Sequence, residues 1–225
     1  MKTLHSFYRF LAMAAIMLIL QGEPLFAEAV KTDIPNLSLL KHEIKLYHDS
    51  GQWDRDSEKA LSEALKHLAS FKGKKPAVVF DIDDTCLTNY PYLSGMDFAF
   101  LPDEPSWLDW VRKAEAPALK ATLMFFRKAK ESGFAVFFIT GRDEAWRADT
   151  ERNLEKAGYA GYESLIMCPP DYSGTSAAGF KASERKKLAE KGYTIVVNIG
   201  DQQSDLAGGF AEHHVKLPNP MYYIP

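Results

Sequence analysis

Residues able to do chemistry gather in four short stretches of this 225-residue chain. Asp81, Asp83, Asp84 and Thr85 sit directly behind the apolar run Ala77-Val78-Val79-Phe80, and Thr140-Gly141-Arg142 stands behind Phe134 to Ile139. Gly200-Asp201 and then Asp205 come behind Tyr193 to Ile199, and Lys181 lies just ahead of a helical pattern over Ala182 to Lys191. Brought together, these groups offer several carboxylates, one amine, hydroxyls and turn amides. Crowded carboxylates repel unless a cation neutralises them, and an all-oxygen set suits Mg²⁺ better than softer metals. The other groups suit a phosphoryl group, whose transfer chiefly needs positioning and neutralisation of its equatorial oxygens. A carboxylate can also serve as nucleophile, through an aspartyl-phosphate. Taken singly, an aspartate after a strand is often only a helix cap or a turn former; the weight lies in four stretches occurring together.

The elements that must position them follow from the hydrophobic pattern. Continuous apolar runs of this length suit strands buried on both faces. Helical spacing runs through Leu37, Leu40, Ile44 and Tyr47, through Ala60, Leu61, Ala64, Leu65 and Leu68, from about Ala118 to Ser132, and around Asp143 to Lys156. Two further strands are expected at Ser164 to Met167 and near Val215 to Leu217, and residues 28 to 37 read as an extended arm. The alternation predicts an α/β fold, a doubly wound parallel sheet with helices on both faces, preceded by N-terminal helices. In such sheets the loops at the carboxyl ends of the strands meet over one crevice, which is where the polar stretches fall. Residues 87–117 interrupt the rhythm with Tyr90, Tyr92, Phe98, Phe100, Trp107 and Trp110 among four prolines. They form a small insertion after the first strand, with some aromatics expected at a pocket mouth and others in packing.

In this order and register, Asp81-Ile82-Asp83-Asp84-Thr85, Ile139-Thr140-Gly141-Arg142, Lys181 and Gly200-Asp201-Gln202-Gln203-Ser204-Asp205 resemble the four motifs of the haloacid dehalogenase (HAD) superfamily. The acid phosphatase branch, with bacterial secreted acid phosphatases and plant vegetative storage proteins, is the nearest likeness. It extends from about residue 38 through the tail Leu217 to Pro225. The resemblance implies a three-layer Rossmann-like α/β/α domain and hydrolysis of small phosphomonoesters, nucleotides among them. It implies that Asp81 attacks phosphorus and that Asp83 protonates the leaving oxygen and later activates water. Thr140, Gly141, Arg142 and Lys181 would hold the phosphoryl group or support its loop. Mg²⁺ would be bound by the Asp81 carboxylate, the Asp83 backbone carbonyl and Asp201, with Asp205 either a ligand or a neighbour of the ligands. Position 84 is often glutamate in this branch, so Asp84 departs from the pattern. A phosphotransferase on the same fold, or a storage or binding protein with a decayed site, are the competing readings; Asp81, Asp83, Lys181 and Asp201 together speak against decay.

The first residues have a different character. Lys2 and Arg9 precede an uncharged apolar run from Phe10 to Leu20, followed by a polar, proline-containing stretch ending at Ala27. This is a signal-peptide pattern over residues 1–27, with cleavage after Ala27 or Ala29. It directs residues 28–225 to the periplasm or the exterior, with no stable membrane attachment afterwards. A formal net charge of −3, with both signs mixed along the chain, provides no basic field for nucleic acid. Cys86 and Cys168 lack the spaced partners of a zinc site. The strand reading puts both on the same side of the sheet, and free thiols are favoured over a bridge.

Overall fold

Pro76–Phe80, a run without a polar side chain, forms β1 at the centre of a five-stranded sheet. The computed structural model describes residues 34–99, 105–172 and 176–224, so residues 1–27, read above as a signal peptide, most of the expected arm over residues 28–37, and Phe100 lie outside the described residues. Helices α1 (Leu37–Asp49) and α2 (Gln52–Ser70) precede β1. After it come α3 (Tyr90–Gly95), α4 (Pro105–Lys113), α5 (Lys120–Glu131), β2 (Ala135–Asp143), α6 (Arg147–Ala157) and β3 (Ser164–Cys168). The series ends with α7 (Ala177–Glu190), β4 (Thr194–Gly200), the one-turn α8 (Gln203–Leu206) and β5 (His213–Lys216).

The strands pair in parallel in the order β3-β2-β1-β4-β5. Because side chains alternate along a strand, both faces of this sheet must be covered. Val78, Phe80, Val136 and Phe138 meet Leu61, Ala64 and Leu68 of α2, Phe125 and Phe126 of α5 and Leu154 of α6. Ala77, Val79, Phe137 and Ile139 meet Phe180 and Leu188 of α7 on the other face. This is the expected three-layer α/β/α arrangement. On the larger face the rings of Phe80, Phe125, Phe126, Phe138 and Tyr159 lie 5.1 to 6.3 Å apart, centroid to centroid. Each such buried ring stabilises the fold by about 1.5–3 kcal/mol. Among the described residues no helix is long and apolar enough to cross a membrane.

Four details depart from the pattern read in the sequence. Helix α7 starts at Ala177, so Lys181 stands in its second turn and not ahead of it. The Ser176 hydroxyl accepts the Ala178 N–H, and the Tyr172 hydroxyl accepts the Phe180 N–H, so unpaired donors of the first turn are satisfied despite Gly179. The apolar stripe of α1 buries no residue fully, and Leu37 is 64% exposed; Ile44 and Tyr47 are half-buried against a small cluster of Trp53, Leu93, Leu119 and Met221. Leu65 of α2 likewise faces outward. Cys86 and Cys168 fall on opposite faces of the sheet, Cys86 within the larger core and Cys168 against the smaller one, and both are free thiols.

Candidate active site

Polar residues converge where the strand order reverses, between β1 and its neighbour β4. Asp81 follows β1 directly, and its N–H donates to Ile199 O at 2.9 Å, tying the ends of the two strands together. Asp201 follows β4. Between them, Lys181 Nζ donates to Asp81 Oδ1 at 2.5 Å and to Asp205 Oδ1 at 2.6 Å. One carboxylate oxygen each of Asp81, Asp201 and Asp205 lies within 4.8 Å of the others, and all three residues are buried. Asp205 is placed by α8, whose first turn closes a reciprocal cap: Gln202 N–H donates to Asp205 Oδ2 at 2.8 Å. From the side, fully buried Arg185 donates from Nη1 to Asp205 O at 2.7 Å and from Nε to Gly209 O at 2.9 Å, fixing the loop that carries these carboxylates.

The approach of this loop to β4 requires glycine at position 200. A Cβ added there would stand 2.7 Å from Cγ of Asp205, inside van der Waals contact. Gly200→Ala is therefore expected to push Asp205 aside, costing about 1–3 kcal/mol of stability and most of the activity; a chemical melt alongside an assay checks both. Wild-type values in that variant would contradict the packing described.

Asp83 points to a different set of partners. Arg142 grips it with two parallel bonds, Nη2 to Oδ1 at 2.7 Å and Nε to Oδ2 at 3.0 Å, while Arg142 Nη1 reaches Thr150 Oγ1 at 3.2 Å. Asn89 Nδ2 also donates to Asp83 Oδ1 at 2.9 Å, and Trp110 Nε1 fixes Asn89 by donating to its Oδ1 at 2.8 Å. Thr140 Oγ1 accepts the Arg142 N–H at 3.1 Å. Asp84 has a left-handed backbone, φ 50°, within a tight loop, and is fully buried. Its carboxylate accepts from Asn89 N–H at 2.9 Å and from the Tyr222 hydroxyl at 2.9 Å.

These groups line one cavity of about 320 Å³, with Asp81, Asp83, Gly141, Arg142, Lys181, Asp201 and Asp205 on its polar side. Thr140 is buried beside Gly141, with its hydroxyl oxygen accepting the Arg142 N–H. Trp107, Trp146, Tyr222 and Ile224 supply apolar walls. Of the insertion aromatics, Trp107 thus reaches the cavity, whereas Tyr90, Tyr92 and Phe98 pack with the Trp53 cluster. Asn89, Gln202, Asn219 and Tyr222 had no assigned role in the sequence reading. The signals were present as an Asn-Tyr-Pro after the first strand and a Pro-Asn-Pro tail, which cannot continue a helix and so must lie extended.

Charge is unevenly balanced here. Burial, then the negative field of Asp205, raises the Asp81 carboxyl well above its ordinary value, although Lys181 opposes this. Burial and the charges of Asp205 and Asp84 push Asp201 up to about 7, and burial likewise brings Asp84 to about 7. Burial would also raise Asp83, but the charge and hydrogen bonds of Arg142 outweigh it and hold Asp83 below the usual carboxylate range. Burial disfavours the Lys181 ammonium, yet Asp205 and Asp81 more than compensate. Lys181 brings one positive charge to three clustered carboxylates, a deficit that an oxygen-ligated divalent cation fits.

Residues 27–225 match the family described as HAD superfamily, subfamily IIIB (Acid phosphatase). The chain is similar to the Stem 28 kDa glycoprotein of Glycine max, 40% identical over 185 residues that cover 80% of this chain and 73% of that one. It is also 38% identical to Acid phosphatase 1 of Solanum lycopersicum over 173 residues, 76% of this chain and 68% of the relative. Its fold resembles the tungstate-bound class C acid phosphatase from Bacillus anthracis, with a TM-score of 0.66 and 24% identity over 82% of this chain and 86% of that chain.

Proposed function

The chain belongs to the HAD superfamily, subfamily IIIB, the acid phosphatases, and is a phosphomonoester hydrolase; on that premise we propose that it works through a phosphoenzyme on Asp81 with Mg²⁺ as its cation. The observation that carries this reading is the Asp81 carboxylate, held by Lys181 at 2.5 Å at the floor of the cavity with Asp83 two residues away. An Asp81 oxygen attacks phosphorus, the ester P–O bond breaks, and Asp83 delivers a proton to the departing oxygen. Asp83, then a carboxylate, takes a proton from water as that water attacks the aspartyl-phosphate, which returns free Asp81 and phosphate. The bidentate grip of Arg142 supports the base half of this cycle, since it favours ionised Asp83; for the acid half, Arg142 must release Asp83, and a phosphoryl oxygen is the natural new partner for its guanidinium. Lys181 and the Gly141 turn hold the remaining phosphoryl oxygens, and the Thr140 hydroxyl keeps its proton to donate to one of them. Asp81, the Asp83 backbone carbonyl and Asp201 would hold Mg²⁺, with Asp205 beside or among the ligands. When bound, the cation neutralises charge on the nucleophile and the phosphoryl group.

The substrates are small organic phosphomonoesters, nucleotides among them, and the phosphatase domain spans residues 28–225 after a signal peptide of residues 1–27. The reading is tested with p-nitrophenyl phosphate across a range of pH, with and without Mg²⁺. Turnover that needs Mg²⁺ is expected; no turnover under either condition would favour a storage or binding protein. Export is tested separately. Residues 1–29 fused to a reporter active only outside the cytoplasm should give signal, and the mature chain should begin at Glu28 or Val30. Met1 retained on protein recovered outside the cytoplasm would contradict cleavage.

A further inference from the structure

The Leu217–Ile224 segment approaches the site from outside the four motifs. Leu217 N–H donates to Gly200 O at 2.9 Å, and Trp53 Nε1 of α2 donates to Pro218 O at 3.0 Å. Held at these points, the segment brings Asn219 Nδ2 to within 2.6 Å of Asp201 Oδ2. Gln202 Nε2 donates to that same oxygen, also at 2.6 Å.

Neither amide is free to turn over. Met221 N–H donates to Asn219 Oδ1 at 2.9 Å, and Ile224 N–H donates to Gln202 Oε1 at 3.0 Å. A backbone N–H can only donate, so in each amide the oxygen must face the tail and the NH₂ must face Asp201. Two donors occupy both in-plane lone pairs of Asp201 Oδ2. Thr85 Oγ1 takes one position on Oδ1, at 3.2 Å. Among the described residues, the one lone pair of the carboxylate left without a donor is on Oδ1.

We propose that the Pro218–Ile224 tail sets the cation affinity of the site: Asn219 directly, and Ile224 through Gln202, hold Asp201 so that only Oδ1 can ligate. Asn219 and Gln202 are positioning residues, acting through Asp201, and the inference rests on the reading of Asp201 as a cation ligand. Freed of either amide, Asp201 can rotate, and ordering it again is charged against cation binding. Outer partners of this kind typically change metal affinity by about 10–100-fold.

The test is calorimetric titration of Mg²⁺ into the cation-free protein and into Asn219→Leu, Gln202→Met, Asp201→Asn and Tyr223→Ala, with a thermal melt of each cation-free protein. Tyr223, in the same tail but 74% exposed, is the control. Asn219→Leu is expected to raise the Kd for Mg²⁺ by about tenfold or more, with Gln202→Met close behind and Tyr223→Ala unchanged. The Mg²⁺ concentration giving half-maximal activity should rise by the same factor. Wild-type Mg²⁺ affinity in Asn219→Leu, or in a folded Gln202→Met if the first variant does not fold, overturns the inference while leaving the phosphatase reading intact. So does a weakened affinity accompanied by an equal loss in Tyr223→Ala. Wild-type affinity in Asp201→Asn removes Asp201 as a ligand and takes the inference with it.

Discussion

Asp81→Asn is expected to release no alcohol from any phosphate ester and to form no phosphoenzyme, a loss of about 10⁴-fold or more. Asp83→Asn should behave differently. It keeps the nucleophile but removes the acid of the first step and the base of the second. An alkyl phosphate, whose alkoxide leaves poorly without a proton, should nearly stop, by about 10²–10⁴-fold. With p-nitrophenyl phosphate the first step should survive in part while hydrolysis of the aspartyl-phosphate stalls. The expected trace is a burst of nitrophenol of at most about one equivalent per site, then slow turnover. The substitution also replaces one of the two oxygens gripped by Arg142 and leaves that guanidinium short of an anion, so the melt of Asp83→Asn must be recorded beside the burst. Absence of a burst in folded, Mg²⁺-competent protein, or equal slowing of alkyl and aryl esters, would remove Asp83 from its acid–base role.

Chelation is expected to have an effect of similar size. EDTA should abolish activity and added Mg²⁺ restore it, with Mn²⁺ or Co²⁺ substituting because oxygen sites discriminate weakly among such ions. The reason lies in the charges. With Lys181 the only positive partner shared by Asp81 and Asp205 among the described residues, burial and mutual repulsion favour the protonated forms of Asp81 and Asp201. A protonated carboxyl is a poor nucleophile, so removal of the cation weakens Asp81 as well as the grip on substrate. Asp201→Asn should raise the Mg²⁺ requirement by more than about 100-fold, beyond the range of an outer partner. Undiminished turnover in excess EDTA would end the cation assignment.

The aspartates and the sheet were legible in the sequence for one physical reason: strands buried on both faces leave uninterrupted apolar runs, and the first polar residue after each run lands at the crevice. Asp81 follows that rule literally; Asp201 follows it past Asn198, which is buried within β4 and donates to Asp205 O. Lys181 was recognised by its motif while its helix was begun five residues late, because Ala177-Ala178-Gly179 has the look of a loop until the Ser176 cap and the Tyr172 hydroxyl are in place. Asn89, Asn219 and Tyr222 were beyond a local reading. Tyr222 meets Asp84 across 138 positions, and no spacing rule reaches that far. The exposed stripe of α1 shows the reverse failure, since helical periodicity reports amphipathy but not what will cover it.

The place of β1 in the sheet also governs the order in which the molecule can be finished. Phe80 pairs with Phe138 on one side and with Ile199 on the other, and the second partner is synthesised long after the first. A nascent chain can therefore complete β3-β2-β1 as half a sheet while β1 still shows an open, apolar edge. Such an edge invites pairing with another chain, and closing it across a long loop is slow. Asp81 waits on that edge without Asp201 and Asp205, which follow β4 in the chain. Sealing the edge and assembling the catalytic centre are thus a single event, so a partly folded chain is exposed to aggregation during the same interval in which it is inert.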